Sequence, residues 1–451
     1  ISKIVHAIFS KNKTKKLKTT TMKISNLLKI ILFAISISSC TNEKSKVTNT
    51  SDYNTYLNLS ENKNIQLAKT EINFWQKKYD AAPNQTSYLV QLAGYYTSLF
   101  EATFEVNDLY KAEELLLKVN SDLKYTEVGP IRSLAKNYIT QHRFKEALIL
   151  ANKALKIGEG FKETQKLLFD VNMELGNYAE AKKNLSKFYN TEDFDYLIRM
   201  AKWNDHIGDL PTAITLMEKA TKKAELNENK HLKIWAYSNL GDMYGHAGRI
   251  SDSYTYYLKT LKEDENNYYA LKGIAWIAFS HEKNTKEANR IIDIIAKKHN
   301  SPDFNLFKAE MAEFNKNEQE KNKHLQDYFA SLKNRNYGVM YNKYNAILFA
   351  DNKKDAVKAL EIAYQEIKNR PTPESYDLLA WANYNLGNTK KALDICEKHI
   401  INKSFEPEIN YHLAEIYKAN KMTDKIKPIK EDLLSSIYEL GPNMKEKIEK
   451  L

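Results

Sequence analysis

Residues 237–267 contain two amphipathic segments joined by a short polar turn. Tyr237, Leu240 and Tyr244 recur every three or four residues, the spacing that places side chains on one face of an α-helix. Gly248 follows the first segment, and glycine commonly ends a helix because it accepts a left-handed backbone without steric cost. The pattern therefore predicts a helix, a tight turn and a second helix that packs against the first.

The same pattern recurs along most of the chain. One position in each unit favours a small residue, because helices approach one another to about 8–10 Å only where side chains permit it. The equivalent positions, 32 to 40 residues apart, are Ala135, Phe169, Ala201, Gly241, Trp276, Ala309, Tyr344, Ala380 and Ala414, and a first unit begins near Tyr88. The chain has only 13 Gly and 9 Pro, which also favours helices over sheets. The sequence predicts an all-α chain with about ten helical hairpins over residues 86–436.

These units resemble the tetratricopeptide repeat, a 34-residue helix–turn–helix. Around Gly241 the resemblance consists of Tyr237, Leu240, Tyr244 and the small residue Ser253. It implies a right-handed superhelical solenoid whose concave groove is lined by the first helix of each repeat. Such solenoids recognise partners along this surface. We therefore expect a binding protein with no catalytic residue and no cofactor.

Several units depart from the repeat pattern. Phe169, Trp276 and Tyr344 stand where a small residue is expected. Another unit has Lys308 in place of leucine and Lys321 in place of alanine. We expect local differences in packing at these places and no change in the number of repeats.

Three segments outside the repeats carry their own predictions. Residues 63–85 have apolar side chains at helical spacing and are predicted to form an N-terminal capping helix. Residues 40–62 are rich in Ser, Thr, Asn and Lys, a composition typical of a flexible tether. Residues 437–451 are mostly polar and are predicted to form a solvated C-terminal tail.

The N-terminal region has the features of a targeting signal. Residues 22–39 begin with Met22 and contain two lysines and an apolar run too short to span a bilayer, as in a signal peptide. The stretch Ile-Ser-Ser-Cys at 37–40 resembles the lipobox of bacterial lipoproteins, which implies cleavage and lipidation at Cys40 with acyl chains such as palmitate. Two or more chains give durable anchoring. Residues 1–21 are interpreted as a segment upstream of the true start.

The charge distribution argues against nucleic acid as a partner. The net charge is +11, but residues 1–39 hold eight lysines and no acidic residue, so the remainder is nearly balanced. Without a basic face, nucleic-acid binding is not expected. The two cysteines, Cys40 and Cys396, are too far apart in sequence and setting to indicate a disulfide framework or a metal knuckle.

The groove positions implied by the resemblance provide candidate binding residues. They are Arg132, Lys136, Arg199, Lys202, His206, Asn239, Asp242, His246, His281, Trp381 and Tyr384. The three histidines occupy one position in successive repeats. Because metal ligands must converge within about 2.0–2.1 Å of one ion, side chains a whole repeat apart do not predict a metal site.

We interpret the chain as a lipid-anchored adaptor of the bacterial cell envelope that binds a protein or peptide in its groove. No aspartate follows Cys40 directly, which favours the outer over the inner membrane. Two alternatives remain open: a glycan-binding lipoprotein of the outer membrane, and a metal-binding or enzymatic protein that uses the histidine row. The motifs HExxH, CxxC and GxSxG do not occur, so the sequence indicates no enzyme.

Overall fold

The computed structural model describes residues 46–58, 61–352 and 355–451. The chain divides into two compact units, residues 1–46 and residues 47–451. Cys40, the predicted signal peptide and the start of the predicted tether lie outside the described residues. In the described ranges the regular elements are all helical and no β-strand occurs.

The helices follow one another closely along residues 47–451. In chain order they are α1 Thr50–Leu57, α2 Lys63–Ala81, α3 Thr86–Thr103, α4 Val106–Asp122, α5 Val128–Thr140, α6 Phe144–Ile157, α7 Phe161–Glu174, α8 Tyr178–Ser186, α9 Phe194–His206, α10 Leu210–Leu226, α11 Lys230–His246, α12 Ile250–Glu263, α13 Tyr268–Trp276, α14 Thr285–Ile295, α15 Asp303–Phe314, α16 Glu318–Arg335, α17 Asn342–Asp351, α18 Ala356–Asn369, α19 Pro373–Asn385, α20 Thr389–His399, α21 Pro407–Ala419, α22 Ile426–Ser435, α23 Ile437–Leu440 and α24 Met444–Glu449. A π-helical turn, Ile277–His281, continues α13.

Consecutive helices from α3 to α22 pair as ten hairpins within the described part of the chain. Gly248 shows how the turns form: it has a φ of 72°, and Arg249 N donates to Tyr244 O at 2.8 Å. This left-handed glycine and the bond back over one turn make a helix C-cap. At the opposite ends, Asn and Asp side chains accept the first free N–H groups, as Asn229 does for α11. The prediction of an all-α solenoid with about ten repeats is confirmed.

Small residues allow the close helix contacts, as expected. Ala135, Ala201 and Ala380 have no exposed surface. At Gly241 a Cβ atom would lie 3.0 Å from the ring of Tyr257, so the ring packs directly on the backbone of α11. The glycine of the repeat pattern is thus a packing residue.

The departures from the pattern have physical explanations. Phe169 is fully buried and fills a separate apolar cluster between its own repeat and the next. Lys308 pairs with Asp293 at 2.5 Å, and Lys321 pairs with Glu313 at 3.0 Å. In that unit, ion pairs replace the apolar contacts of the other repeats.

Loops in the second half of the solenoid lie against the first half. Asn369 Nδ2 donates to His142 O at 3.0 Å. The ring of Phe405 sits on Gly208, where a Cβ atom would be only 2.8 Å from the ring carbon Cγ. The solenoid therefore makes contact with itself, which limits the surface open to a partner.

The structure differs from the predicted flexible tether over residues 47–58. Here α1 packs against α12 and α14, and the side chains of Tyr53 and Leu57 are buried. Glu282 accepts hydrogen bonds from the backbone N–H groups of Val47 at 2.8 Å and Thr48 at 2.6 Å. Two buried apolar residues four positions apart and these hydrogen bonds hold the segment, which we call the N-terminal strap (residues 47–58). The next helix, α2, occupies the place predicted for the capping helix.

The structure also differs from the predicted solvated tail. Residues 437–451 contain α23 and α24, and Ile448 has no exposed surface. Within the described ranges, no helix is both long and apolar enough to cross a bilayer.

Candidate functional site

The first helices of neighbouring hairpins lie side by side. Helix α5 contacts α7, α11 contacts α13, and α19 contacts both α17 and α21. We call the surface formed by these first helices the A-helix face. All eleven predicted groove residues lie on these helices or on the π-helical turn.

Two of the predicted basic residues lie on α5. Arg132 donates to Gly160 O at 3.0 Å and so clamps its own repeat to the start of the next. Lys136 is exposed. Of these two, Lys136 is the side chain that a partner could reach without breaking a contact.

The other two basic residues belong to an ion network. Arg199 pairs with Asp170 at 2.7 Å, and Lys202 pairs with Glu174 at 2.9 Å. Arg370, from the loop after α18, reaches the same Glu174 at 3.5 Å. Burial raises the pKa of Glu174, but the charges of Lys202 and Arg370 outweigh it and hold the pKa below its usual value. These residues join repeats to one another.

The histidine row is not a cluster. The ring of His206 packs at a tilt against Tyr178 with centroids 4.1 Å apart, and burial lowers the pKa of His206. His246 is exposed, and His281 ends the π-helical turn. Nowhere in the part of the chain that the structure describes do three or more His, Cys, Asp or Glu side chains form a group that could hold a metal ion.

Asp242 joins three helices. Its carboxylate accepts hydrogen bonds from the hydroxyls of Tyr257 on α12 and Tyr269 on α13. Burial raises the pKa of Asp242, although both tyrosine bonds oppose the shift. Asn239 donates to Trp235 O of its own helix at 2.8 Å. Asp242 therefore positions helices, whereas Asn239 makes only a local bond.

The two predicted aromatic groove residues are packed against neighbours. Trp381 stacks between Tyr384, with centroids 4.9 Å apart, and His412, at 4.0 Å. Its Nε1 donates to Asp351 at 2.8 Å. Tyr384 in turn donates to Glu415 at 3.2 Å. The ring of Trp381 is therefore buried, whereas Tyr384 stays partly exposed.

A site that the sequence did not reveal lies where α23 meets the A-helix face. Trp276 Nε1 and Ser280 Oγ both donate to the main-chain carbonyl of Tyr438, at 2.9 and 2.7 Å. The ring of Tyr438 lies over Gly245, where a Cβ atom would be 2.6 Å from the ring carbon Cε1. The face thus holds both a peptide carbonyl and an aromatic side chain.

A second group of contacts holds the residues that follow. Asn443 Nδ2 donates to Glu310 O at 2.8 Å. Gly441 has a φ of 83°, and a Cβ atom there would lie 2.3 Å from Glu310 Oε1 and 3.2 Å from Trp276. We call residues 437–443 the C-terminal segment, and Gly245, Trp276, Ser280 and Glu310 its docking site.

The repeat pattern contained a signal for this site. Trp276 replaces the small residue of its repeat because its side chain reaches out to Tyr438. The π-helical turn begins at the next residue and carries Ser280, and π-helical turns are frequent at functional positions. A departure from the repeat that coincides with irregular helix geometry marked the docking site.

Acidification is expected to tighten the docking of the C-terminal segment. Burial and the neighbouring Glu313 raise the pKa of Glu310 to about 8, with Lys447 opposing and Glu408 adding to the shift. A carboxyl with a raised pKa is protonated in the folded state, so its ionisation costs stability as pH rises from its unfolded value towards 8. Hydrogen exchange of the 437–443 amides should therefore be slower at pH 6 than at pH 9 after correction for intrinsic rates.

Glu310→Gln removes the titrating carboxyl. In this variant the hydrogen exchange of the 437–443 amides should depend little on pH. Glu361→Gln on α18, a second-helix position, is the control for the same chemical change. An unchanged pH dependence in Glu310→Gln would contradict the assignment.

Comparisons with known proteins agree with this description only at the level of fold. No protein-family model matches the chain, and no curated protein does. A human IFIT1 dimer with PPP-AAAA is 13% identical, over 69% of this chain and 71% of that one, with a TM-score of 0.43. PilF of Pseudomonas aeruginosa is 15% identical over 49% of this chain and 96% of that one, with a TM-score of 0.34.

A third similar structure is YrrB, described as a TPR protein with an unusual peptide-binding site. It is 18% identical over 44% of this chain and 95% of that one, with a TM-score of 0.26. All these scores are below 0.5, and the fold assignment rests on the ten hairpins themselves. The chain is an all-α solenoid of helical hairpins.

Proposed function

We propose that the protein is a lipid-anchored scaffold of the bacterial cell envelope that binds a segment of a partner protein on its A-helix face. One observation carries the binding part of the proposal. The docking site already holds a peptide segment, with two side-chain donors on one main-chain carbonyl and an aromatic ring on a bare glycine.

This arrangement suits peptide recognition for two reasons. Donors aimed at a carbonyl recognise the backbone of any residue, whereas the space above Gly245 selects an aromatic side chain. An aromatic ring also buries a large area while ordering few torsions, which makes it an effective anchor. Recognition rather than catalysis is the role we assign to this face.

The membrane part of the proposal is supported by the sequence. The lipobox places the acyl chains on Cys40, with the outer membrane favoured. Among the described residues, Val47 is the first with a hydrogen bond to the repeats, and it lies seven positions after the predicted anchor at Cys40. Cys40→Ser should move the protein from the membrane fraction to the soluble fraction after cell breakage, and its retention in the membrane would contradict lipid anchoring.

Affinity capture with a blocked docking site tests the binding part. The full chain is immobilised and exposed to detergent-solubilised cell envelope, and retained proteins are identified by mass spectrometry. Gly245→Ala fills the space for the aromatic ring while keeping a good helix former in α11. We expect a retained partner to be lost with this variant.

The matched control is Gly94→Ala on α3, another first helix. A Cβ atom there has no neighbour within 4 Å, so this variant should retain the partner. Equal retention by both variants would show that the partner does not use the docking site.

A further inference from the structure

We infer that the C-terminal segment is a built-in occupant of the docking site, and that a partner enters by displacing it. This inference rests on the proposed function, because it concerns the same surface. It also defines the chemistry of the partner: an aromatic residue followed three positions later by a glycine that turns the chain.

The order of residues in the segment supports this chemistry. Tyr438 supplies the aromatic ring and the main-chain carbonyl that accepts both hydrogen bonds. Gly441 follows three residues later against Glu310 and Trp276, with a φ of 83°, a backbone conformation that residues with a side chain rarely adopt. Pro442 then continues a turn that delivers Asn443 to Glu310 O. The site therefore recognises a ring and a turn together.

The segment is held at high local concentration. It follows α22 directly, with Ser436 alone between that helix and α23. A short covalent connection gives an effective concentration on the order of millimolar. A partner segment with the same contacts and the same intrinsic affinity would therefore have to reach about a millimolar concentration to displace the C-terminal segment. A partner present at lower concentration needs a higher intrinsic affinity for the site.

One residue makes the segment an imperfect occupant. Burial raises the pKa of Glu439, with Asp205 and Glu408 adding to the shift and His246 and Lys343 opposing it. The docked position of Glu439 therefore disfavours an ionised carboxylate. A partner with a neutral residue at the corresponding position would avoid this cost and displace the segment more readily.

A labelled synthetic peptide with the sequence of residues 434–451 tests the inference on the full chain. Fluorescence anisotropy measures its binding to the wild-type protein and to Tyr438→Ala, in which the intramolecular ring is removed. We expect the peptide to bind Tyr438→Ala at least tenfold more tightly, because the site is no longer occupied. Tyr189→Ala, at an exposed tyrosine, controls for the substitution and should behave as wild type.

A double variant locates the binding. Gly245→Ala with Tyr438→Ala frees the segment but fills the ring space, so peptide affinity should fall back by tenfold or more. Trp276→Phe in the Tyr438→Ala background removes only the indole donor and should reduce affinity without closing the site. Equal peptide affinity for wild type and Tyr438→Ala, or unchanged affinity in the double variant, would overturn the inference.

The outcome is separable from that of envelope capture. If the peptide binds as expected but no partner is captured, the proposed function is contradicted. The inference that the C-terminal segment occupies the docking site then still stands. If a partner is captured and its capture depends on Gly245, the proposed function is supported. If the peptide also binds wild type and Tyr438→Ala equally, the C-terminal segment is not a built-in occupant of the site.

Discussion

Asp377→Ala is expected to lower the free energy of unfolding of the C-terminal repeats by about 3–5 kcal/mol, the usual cost of breaking a buried ion pair by removing one partner. Asp377 Oδ2 lies 2.8 Å from His412 Nδ1, and both side chains are buried. The stacked Trp381 covers the imidazole ring. Without the carboxylate, the buried His412 loses the acidic group with which it is hydrogen-bonded.

The size of this loss should depend on pH. Burial lowers the pKa of His412, but Asp377, Glu408 and Asp351 outweigh it and raise the pKa above its usual value. A raised pKa contributes stability that is complete below the unfolded value and is lost as pH rises through the folded value. Burial also raises the pKa of Asp377. Ionisation of Asp377 therefore costs stability as pH rises, a cost that the variant does not have. The variant should thus lose more stability at pH 6 than at pH 9.

Urea unfolding monitored through tryptophan fluorescence measures the effect at both pH values. Repeat proteins unfold in parts, so a transition of the C-terminal repeats is the quantity to compare. Asp355→Ala is the control, because Asp355 pairs with Lys358 at the surface, where such pairs contribute about 0–1 kcal/mol. A loss no larger than that of the control would show that the buried pair is not needed.

The repeat architecture could be predicted because it depends on local features that recur. Helical spacing, a small residue at the contact and a glycine at the turn are each visible within one unit. Gly241 and Gly248 show this: the first packs under Tyr257, and the second ends α11. Departures in one unit, such as the two lysines at 308 and 321, do not alter the predicted number of repeats, because the neighbouring units define the repeat length.

The candidate site could be predicted less well because its contacts join distant parts of the chain. The docking of Tyr438 on Trp276 spans more than 160 residues. The departure at Trp276 was visible in the repeat pattern, but nothing local to it identifies Tyr438 as its partner. Groove positions also do not reveal whether a side chain is free. Lys202 and Arg199 were candidates by position, yet both find acidic partners 28 and 29 residues earlier. Opposite charges nearly one repeat apart were a visible signal that such residues are paired.

The N-terminal strap escaped prediction for a different reason. Its helix has eight residues and a polar composition, with Tyr53 and Leu57 as its buried side chains. Composition alone makes such a segment look flexible. Its order comes from the surface on which it lies, since isolated helices shorter than about 12–15 residues are marginal in water.

Tyr53→Ala is expected to release this strap from the repeats. The ring is fully buried, and its hydroxyl donates to Glu287 at 2.7 Å. Truncation of a buried aromatic side chain to alanine costs about 3–5 kcal/mol. An eight-residue helix is not stable without this contact. Helix α1 should therefore unfold while the ten hairpins stay folded.

Hydrogen exchange checks this expectation peptide by peptide. Amides of residues 50–57 should lose their protection in Tyr53→Ala, while those of α12 and α14 keep most of theirs. Tyr189→Ala, at a tyrosine that is 68% exposed, is the matched control and should leave the strap protected. Retained protection in Tyr53→Ala would mean that the bonds to Glu282 hold the strap without the ring.

The release of the strap also has a consequence for the proposed anchor. Of the described residues, Val47 would no longer be the first one bonded to the repeats, and that role would pass to Asn62, which donates to Tyr268 at 3.1 Å. The segment between Cys40 and the first fixed residue would then extend by fifteen positions. A protease added to intact membranes should cut Tyr53→Ala within residues 47–58 and release the solenoid, whereas wild type should resist cleavage there. Equal cleavage of both proteins would show that the strap does not protect this connection.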